Sequence, residues 1–206
     1  MFKILVATGN KHKLDEIREI LADLPVRLIG TFDLPRKIEV EETGRTFAEN
    51  AALKARAYFE LTGLPVLADD SGLEVPALNN APGIHSARFA GEDANYEKNN
   101  ALLLKKMEPF SGDERKARFV CTVCFKDKEN EWFFTGTTEG LILTSLKGKG
   151  GFGYDPLFLV PELGKTYAEL SGKEKNKISH RAKALEQFKI FIEDYLKKID
   201  ISRLKP

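Results

Sequence analysis

Apolar and polar positions along the 206-residue chain fall into alternating strand-like and helix-like stretches. "FKILVA", Phe2 to Ala7, is a short, mostly apolar run and predicts a buried strand. "KLDEIREILADL" follows, with Leu14, Ile17, Ile20 and Leu21 on one helical stripe. "VRLIGTF" predicts a second strand. In "EVEETGRTFAENAALKARAYFELTG", Thr46 and Glu49 form a T-x-x-E capping box that opens a helix, and Gly63-Leu64-Pro65 stops it. "PVLAD" predicts the next strand, which runs into two adjacent carboxylates, Asp69 and Asp70. "ANYEKNNALLLKKM" predicts a further helix. "KARFVCTVCFKD" and "EWFFTGTTEGLIL", separated by a polar "KEN", predict an antiparallel hairpin. A glycine-rich loop covers 148–153, and "SHRAKALEQFKIFIEDYLKKI" predicts a long amphipathic helix. Strands alternate with helices early and pair as a hairpin later, so the expected fold is α/β on a mixed sheet. No repeat, low-complexity tract or linker divides the chain, and a single domain over 1–206 is expected.

Charge changes the picture mainly by exclusion. Basic and acidic side chains number 32 and 31, a net charge of +1, so no global field favours nucleic acid or a membrane surface. No stretch approaches the roughly 18 apolar residues of a membrane helix. The first apolar run is broken at once by Thr8-Gly9-Asn10, so no secretory leader is expected. Cys121 and Cys124 have C-x-x-C spacing in a strand-like segment. Residues three apart on a strand face opposite sides, and no second Cys/His pair exists, so zinc and redox roles are set aside. A reducing cytoplasm is the expected compartment.

Five segments carry candidate chemistry. Two carboxylates about 4 Å apart repel by roughly 4 kcal/mol at an effective dielectric near 20, so Asp69-Asp70 calls for a nearby cation. "VATGNKHK" joins a strand to a helix; it reads equally as an anion-binding helix N-terminus and as a plain capped turn. "GKGGFGYDP" contains G-x-G-x-x-G, but "YDPLFLV" follows instead of a helix, which rules out the dinucleotide reading. "GKT" at 164–166 lacks the earlier P-loop glycine, since Leu159 stands there. What remains at 148–155 is a loop with Phe152, Tyr154 and Asp155, suited to closing over a planar ligand or to packing as an ordinary turn. "EKNKISHRAKAL" places Lys175 and Ser179 one helical turn apart, with His180 and Arg181 next; alone, it reads as a solvated face. "EVEETG" offers Glu39, Glu41 and Glu42. One of them beside Asp70 would suit Mg²⁺, which needs only one or two protein carboxylates.

Taken together these segments are far more specific. "ATGNKHK", "EETGRTFAENAALKA", "ADDSGLEV", "APGIHSARFAG", "GGFGYDPLF" and "AELSGKEKNKISHRAKAL" occur in this order. The chain thereby resembles the inosine triphosphate pyrophosphatase family, in its bacterial and archaeal branch, over nearly its whole length. His12 and Asn79-Asn80 stand where glycines are common in that family. The resemblance implies an elongated mixed sheet with flanking helices forming two lobes around a central cleft. It implies Mg²⁺-dependent hydrolysis of inosine, deoxyinosine and xanthosine triphosphates to monophosphate and pyrophosphate, by a homodimer.

By the same resemblance, Asp70 shares Mg²⁺ with Glu41 and helps activate the attacking water. Thr8, Gly9, Asn10 and Lys13, with the intervening Lys11 and His12, resemble the triphosphate loop. Lys54 and Lys175 resemble phosphate-facing lysines, and Ser71 fits close approach to phosphate. Phe152 is expected to stack on the base, Gly153 and Tyr154 to shape the loop, and Asp155 to bond the base or order the loop. His180 and Arg181 are expected at the base edge, where an all-donor Arg matches a 6-keto purine. Competing readings are a pyrophosphatase for modified pyrimidine triphosphates, against which "SHR" argues, and a silent nucleotide sensor or RNA-binding module. No aromatic-rich RNA-binding motif supports the last.

Overall fold

The structure is a computed structural model that describes residues 1–36, 38–93 and 95–203. Among them, eight strands form one sheet. Strand β1 (Phe2–Val6) pairs in parallel with β2 (Val26–Gly30) and β3 (Val66–Val75). β3 then pairs antiparallel with β5 (Lys116–Lys126), and β5 with β6 (Glu131–Ile142). Short strands β7 (Phe158–Val160) and β8 (Lys165–Thr166) finish that edge, and β4 (Ala81–Pro82) flanks the end of β3. The sheet is mixed, as expected from strands separated by helices first and by a tight turn later.

Strand periodicity sends successive residues to opposite faces. Ile4, Val6 and Leu67 pack on one face with Cys121, Val123 and Phe188. Helix α1 (Lys11–Ile20) adds Leu14 and Ile17 to that layer, and α5 (His180–Arg203) adds Leu185 and Ile192. Leu5, Ala7, Val66 and Ala68 pack on the other face with Cys124 and with Ala51 and Ala55 of α2 (Phe47–Thr62). The two cysteines are thus buried on opposite faces, as their spacing predicts. α2 starts where Thr46 accepts from the Glu49 backbone N–H at 3.1 Å, and it stops at Gly63, whose φ of 67° suits glycine. α1 ends at Ile20, sooner than the pattern suggests, while Leu21 and Leu24 still join its layer.

A third layer covers the far halves of β3 and β5. Leu73, Val75 and Phe119 meet Phe158, Tyr167, and Leu103 and Met107 of α3 (Tyr96–Met107). Ala94, which opens the predicted helical segment, lies outside the described residues. Arg115 fastens this layer: it donates to the carbonyls of Met107, Phe110, Ile142 and Leu143 at 2.6–3.1 Å, with no carboxylate partner among its bonds. Where this third layer meets the first two, the molecule holds a cavity of about 250 Å³.

Candidate active site

The strand carrying Asp69 and Asp70 does not stop at them. β3 continues because Ser71, Gly72 and Leu73 keep their ladder with Cys121, Val120 and Phe119. Alternation then separates the two carboxylates. Asp69 faces the α1–α5 side, where Lys13 Nζ lies 3.0 Å and Arg181 3.2 Å from Oδ2. Asp70 faces α2, where Asn50 Nδ2 donates at 3.2 Å and Lys54 Nζ lies 3.5 Å away. Gly72 lies within the strand, and a Cβ there would lie 2.2 Å from the Gly83 carbonyl oxygen.

Each wall of the cavity follows from local structure. In the strand–helix turn after β1, Asn10 caps α1 by accepting from the His12 and Lys13 N–H groups at 2.9 and 3.3 Å. The same turn forms part of the cavity wall, through Thr8, Gly9, Asn10 and Lys13. At the opposite wall, α4 (Gly172–Ile178) breaks at Ser179, which has extended backbone, and α5 starts at His180. Ser179 then caps α5 by accepting from Ala182 N–H at 3.2 Å. The break lets Lys175 of one helix and His180 and Arg181 of the next share one wall. Lys175, Ser179, His180 and Arg181 are all buried, so the "solvated face" reading of this segment fails. The loop 148–155 turns on Asp155, which accepts from Phe152 N–H at 2.8 Å and from Lys175 Nζ at 2.6 Å.

The cations that line the cavity are already paired with carboxylates. Arg181 donates to Glu16, Asp69 and the Ser71 hydroxyl, and its Nε has no partner. Lys175 also reaches Glu16 at 3.0 Å. Lys54 sits between Glu42, 2.8 Å away, and Asp70. Burial raises the Asp69 carboxyl, but Lys13, Arg181 and Lys54 outweigh it and hold the group well below the usual range. Asp70 ends above its usual value, because burial and nearby Glu42 outweigh Lys54 and Lys13. His180 is held well below 6.5 by burial and by Arg181, Lys175 and Lys13, so it is neutral at pH 7 with Nδ1 unpartnered. Its ring stacks on Phe119 at 4.7 Å.

One cavity thus gathers the cations Lys13, Lys54, Lys175 and Arg181, buried carboxylates, aromatic rings and a neutral imidazole. A model of the Ham1 family matches residues 4–191. The chain belongs to the Ham1 family. This Ham1 chain is similar to a dITP/XTP pyrophosphatase of Geobacter sulfurreducens, 50% identical over 190 residues, covering 92% of this chain and 96% of that one. A dITP/XTP pyrophosphatase of Thermoanaerobacter sp. (strain X514) is 49% identical over 190 residues with the same coverage. Among solved structures, a HAM1 protein from Coxiella burnetii superposes with a TM-score of 0.86 at 42% identity, covering 94% of this chain and all of that one. The family and the mixed-sheet fold expected from the motifs are the ones found.

Within this Ham1 chain, Thr8, Gly9, Asn10, Lys13, Lys54, Asp70, Ser71, Phe152, Gly153, Tyr154, Asp155, Lys175, His180 and Arg181 all line the one cavity. Lys11 and His12 do not; Lys11 is exposed, and the His12 ring lies against Phe152 from outside the lining. Glu41 is exposed and does not line the cavity, whereas Glu42 lines it and meets Lys54, which also lies by Asp70. The loop 38–46 is irregular, so no periodicity in the sequence distinguishes the two glutamates. Asn50, Tyr96 and Asn99 also belong to the site or its support, and no motif in the sequence singles them out. Asn50 is fully buried and bonds both Asp70 and, at 2.8 Å, the Gly44 N–H. A buried polar residue on the apolar face of α2 was the available signal.

Proposed function

We infer that this chain hydrolyses nucleoside triphosphates of deaminated purines, inosine, deoxyinosine and xanthosine, to the monophosphate and pyrophosphate. The observation that carries this reading is that one cavity brings the buried Asp70 carboxylate, with Lys54 3.5 Å away, together with the Phe152 ring and the His180 imidazole. The names of the relatives agree with it.

In this reading Lys13 and Lys54, beside the two aspartates, receive the polyphosphate, for which compact ammonium charges are suited, while Lys175 lies over the Phe152 ring, where the base is read to stack. Asp70 accepts a proton from water as its oxygen bonds to the α-phosphorus; the bond from that phosphorus to the bridging oxygen breaks, and pyrophosphate leaves. Phe152 stacks on the base, and neutral His180 with Arg181 meets its edge. Arg181 is held by three partners, so it supplies a fixed donor surface and little freedom to adapt.

The donor set fits Mg²⁺. Glu42 and Asp70 converge on one ammonium, and Mg²⁺ needs no more than two protein carboxylates. In this reading Glu42 and Asp70 would be the residues that hold it. Bound Mg²⁺ would neutralise both carboxylates and polyphosphate charge. The enzyme is read as a cytoplasmic homodimer; among the described residues no helix is long and apolar enough to cross a membrane.

The test is pyrophosphate release with Mg²⁺ from inosine, xanthosine, adenosine and guanosine triphosphates. Release confined to the first two, lost in Asp70→Asn and in Glu42→Gln but kept in Glu41→Gln, is the expected result. Full turnover in Asp70→Asn would overturn the assignment.

A further inference from the structure

Three aromatic rings from three separate elements meet at the mouth of the cavity. Phe152 comes from the glycine-rich loop, His12 from the first turn of α1, and Tyr96 from the first turn of α3. The His12 and Phe152 rings lie 5.4 Å apart at 12°, a stacked pair. The Tyr96 ring lies 6.2 Å from Phe152 at 42°. Tyr96 also reaches across the cleft, where its hydroxyl accepts from Asn10 Nδ2 at 3.3 Å. Lys175, a cavity residue, lies over the Phe152 ring at 4.6 Å. His12 is not a cavity residue, so it backs the ring from outside.

We propose that His12 and Tyr96 are positioning residues for substrate: they hold the Phe152 ring as a fixed platform, and Tyr96 ties that platform to the phosphate-facing turn. The proposal rests on the reading of Phe152 as the surface on which the base stacks. The physical need is evident in the loop itself. Gly148, Gly151 and Gly153 have φ of 88°, 69° and 62°, and the unfolded alternatives open to glycine make such a loop costly to order. Phe152 is anchored by its own N–H to Asp155, but the ring beyond Cβ has only side-chain contacts to fix it. Two ring contacts restrict it before the nucleotide arrives, and preorganisation of this kind raises affinity by removing an ordering cost from binding.

The perturbations spare the fold, since His12 and Tyr96 are both exposed. His12→Ala and Tyr96→Ala are each expected to raise KM for inosine triphosphate about 3- to 10-fold, the range of an aromatic pair, with kcat within about 2-fold. His12→Phe should restore KM, because it returns a ring without the imidazole. Tyr96→Phe should keep the platform but lose the Asn10 bond, giving a smaller rise than Tyr96→Ala. Inhibition by free pyrophosphate, which has no base, should be unaffected in both His12 variants. Phe152→Ala is measured alongside. If it raises KM while His12→Ala and Tyr96→Ala do not, the platform proposal fails and the stacking reading stands. If Phe152→Ala itself leaves KM unchanged, the stacking reading fails and the proposal with it. Equal loss of pyrophosphate binding in the His12 variants would also overturn the proposal, by showing a general distortion of the site.

Discussion

Replacing Asp69 and Asp70 singly by asparagine should have opposite consequences, although the two are adjacent in the chain. Asp69 is 2% exposed, with one cation 3.0 Å and another 3.2 Å from the same oxygen. Asp69→Asn removes the shared partner and leaves buried Arg181 with Glu16 as its sole carboxylate. Removing one member of a buried pair costs about 3–5 kcal/mol. For a chain of this length each kcal/mol moves Tm by about 2–4 °C, so a fall of roughly 6–20 °C at pH 7 is expected. Asp70 is the reverse case. Its pKa is raised, so its ionised form is less favourable in the folded chain than in the unfolded one. Asp70→Asn should leave Tm unchanged or higher while turnover is lost, the usual pattern where a functional group is held against its own stability.

The pH dependence separates them again. The folded pKa of Asp69 is depressed, so its stabilisation is present above its ordinary value of 3.8 and is lost as pH falls below it. The Tm gap between wild type and Asp69→Asn should therefore narrow as pH drops from about 4. For Asp70, with a raised folded pKa, the stabilising contribution lies below the ordinary value and is lost as pH rises through the folded one. Thermal unfolding by circular dichroism across pH 3–8, beside pyrophosphate release, makes both measurements. A wild-type Tm in Asp69→Asn at pH 7, or an equal fall in Asp70→Asn, would refute the reasoning.

Three further outcomes follow from contacts already described. Gly44→Ala would place a Cβ 2.5 Å from Asn50 Oδ1. It should break the bond that ties the Glu42 loop to Asp70 and cut kcat about 10- to 100-fold, with an unchanged kcat counting against the tie. Because His180 is already neutral well below pH 6.5, the ratio of kcat/KM for inosine over adenosine triphosphate should stay flat from pH 6 to 8; a break near 6.5 would contradict it. Arg115→Met deprives four carbonyls of a donor, and stranded acceptors cost about 1–3 kcal/mol each. Urea unfolding should show a loss of about 3 kcal/mol or more at unchanged m, with activity per folded molecule retained.

Much of this protein is determined locally and is legible in its sequence. The stripe of Leu14 and Ile17 places α1 on the sheet, Thr46 and Gly63 bracket α2, and the C-x-x-C spacing on β5 puts its two thiols on opposite faces. These features depend on the periods of helix and strand and on backbone groups a few residues away. The same period settles the aspartate pair once β3 is known to continue, but the continuation itself is tertiary. It depends on Ser71, Gly72 and Leu73 finding partners on β5, some fifty residues later. Likewise the segment around His180 looks solvated in isolation, because nothing local reports that Phe119, Glu16 and Asp69 will bury it. Glu41 and Glu42 are the sharpest case. In an irregular loop no repeat assigns a direction to either side chain. Which carboxylate meets Asp70 is decided by Lys54, one turn beyond Asn50 on α2, and by Arg88, 3.7 Å away on a different segment.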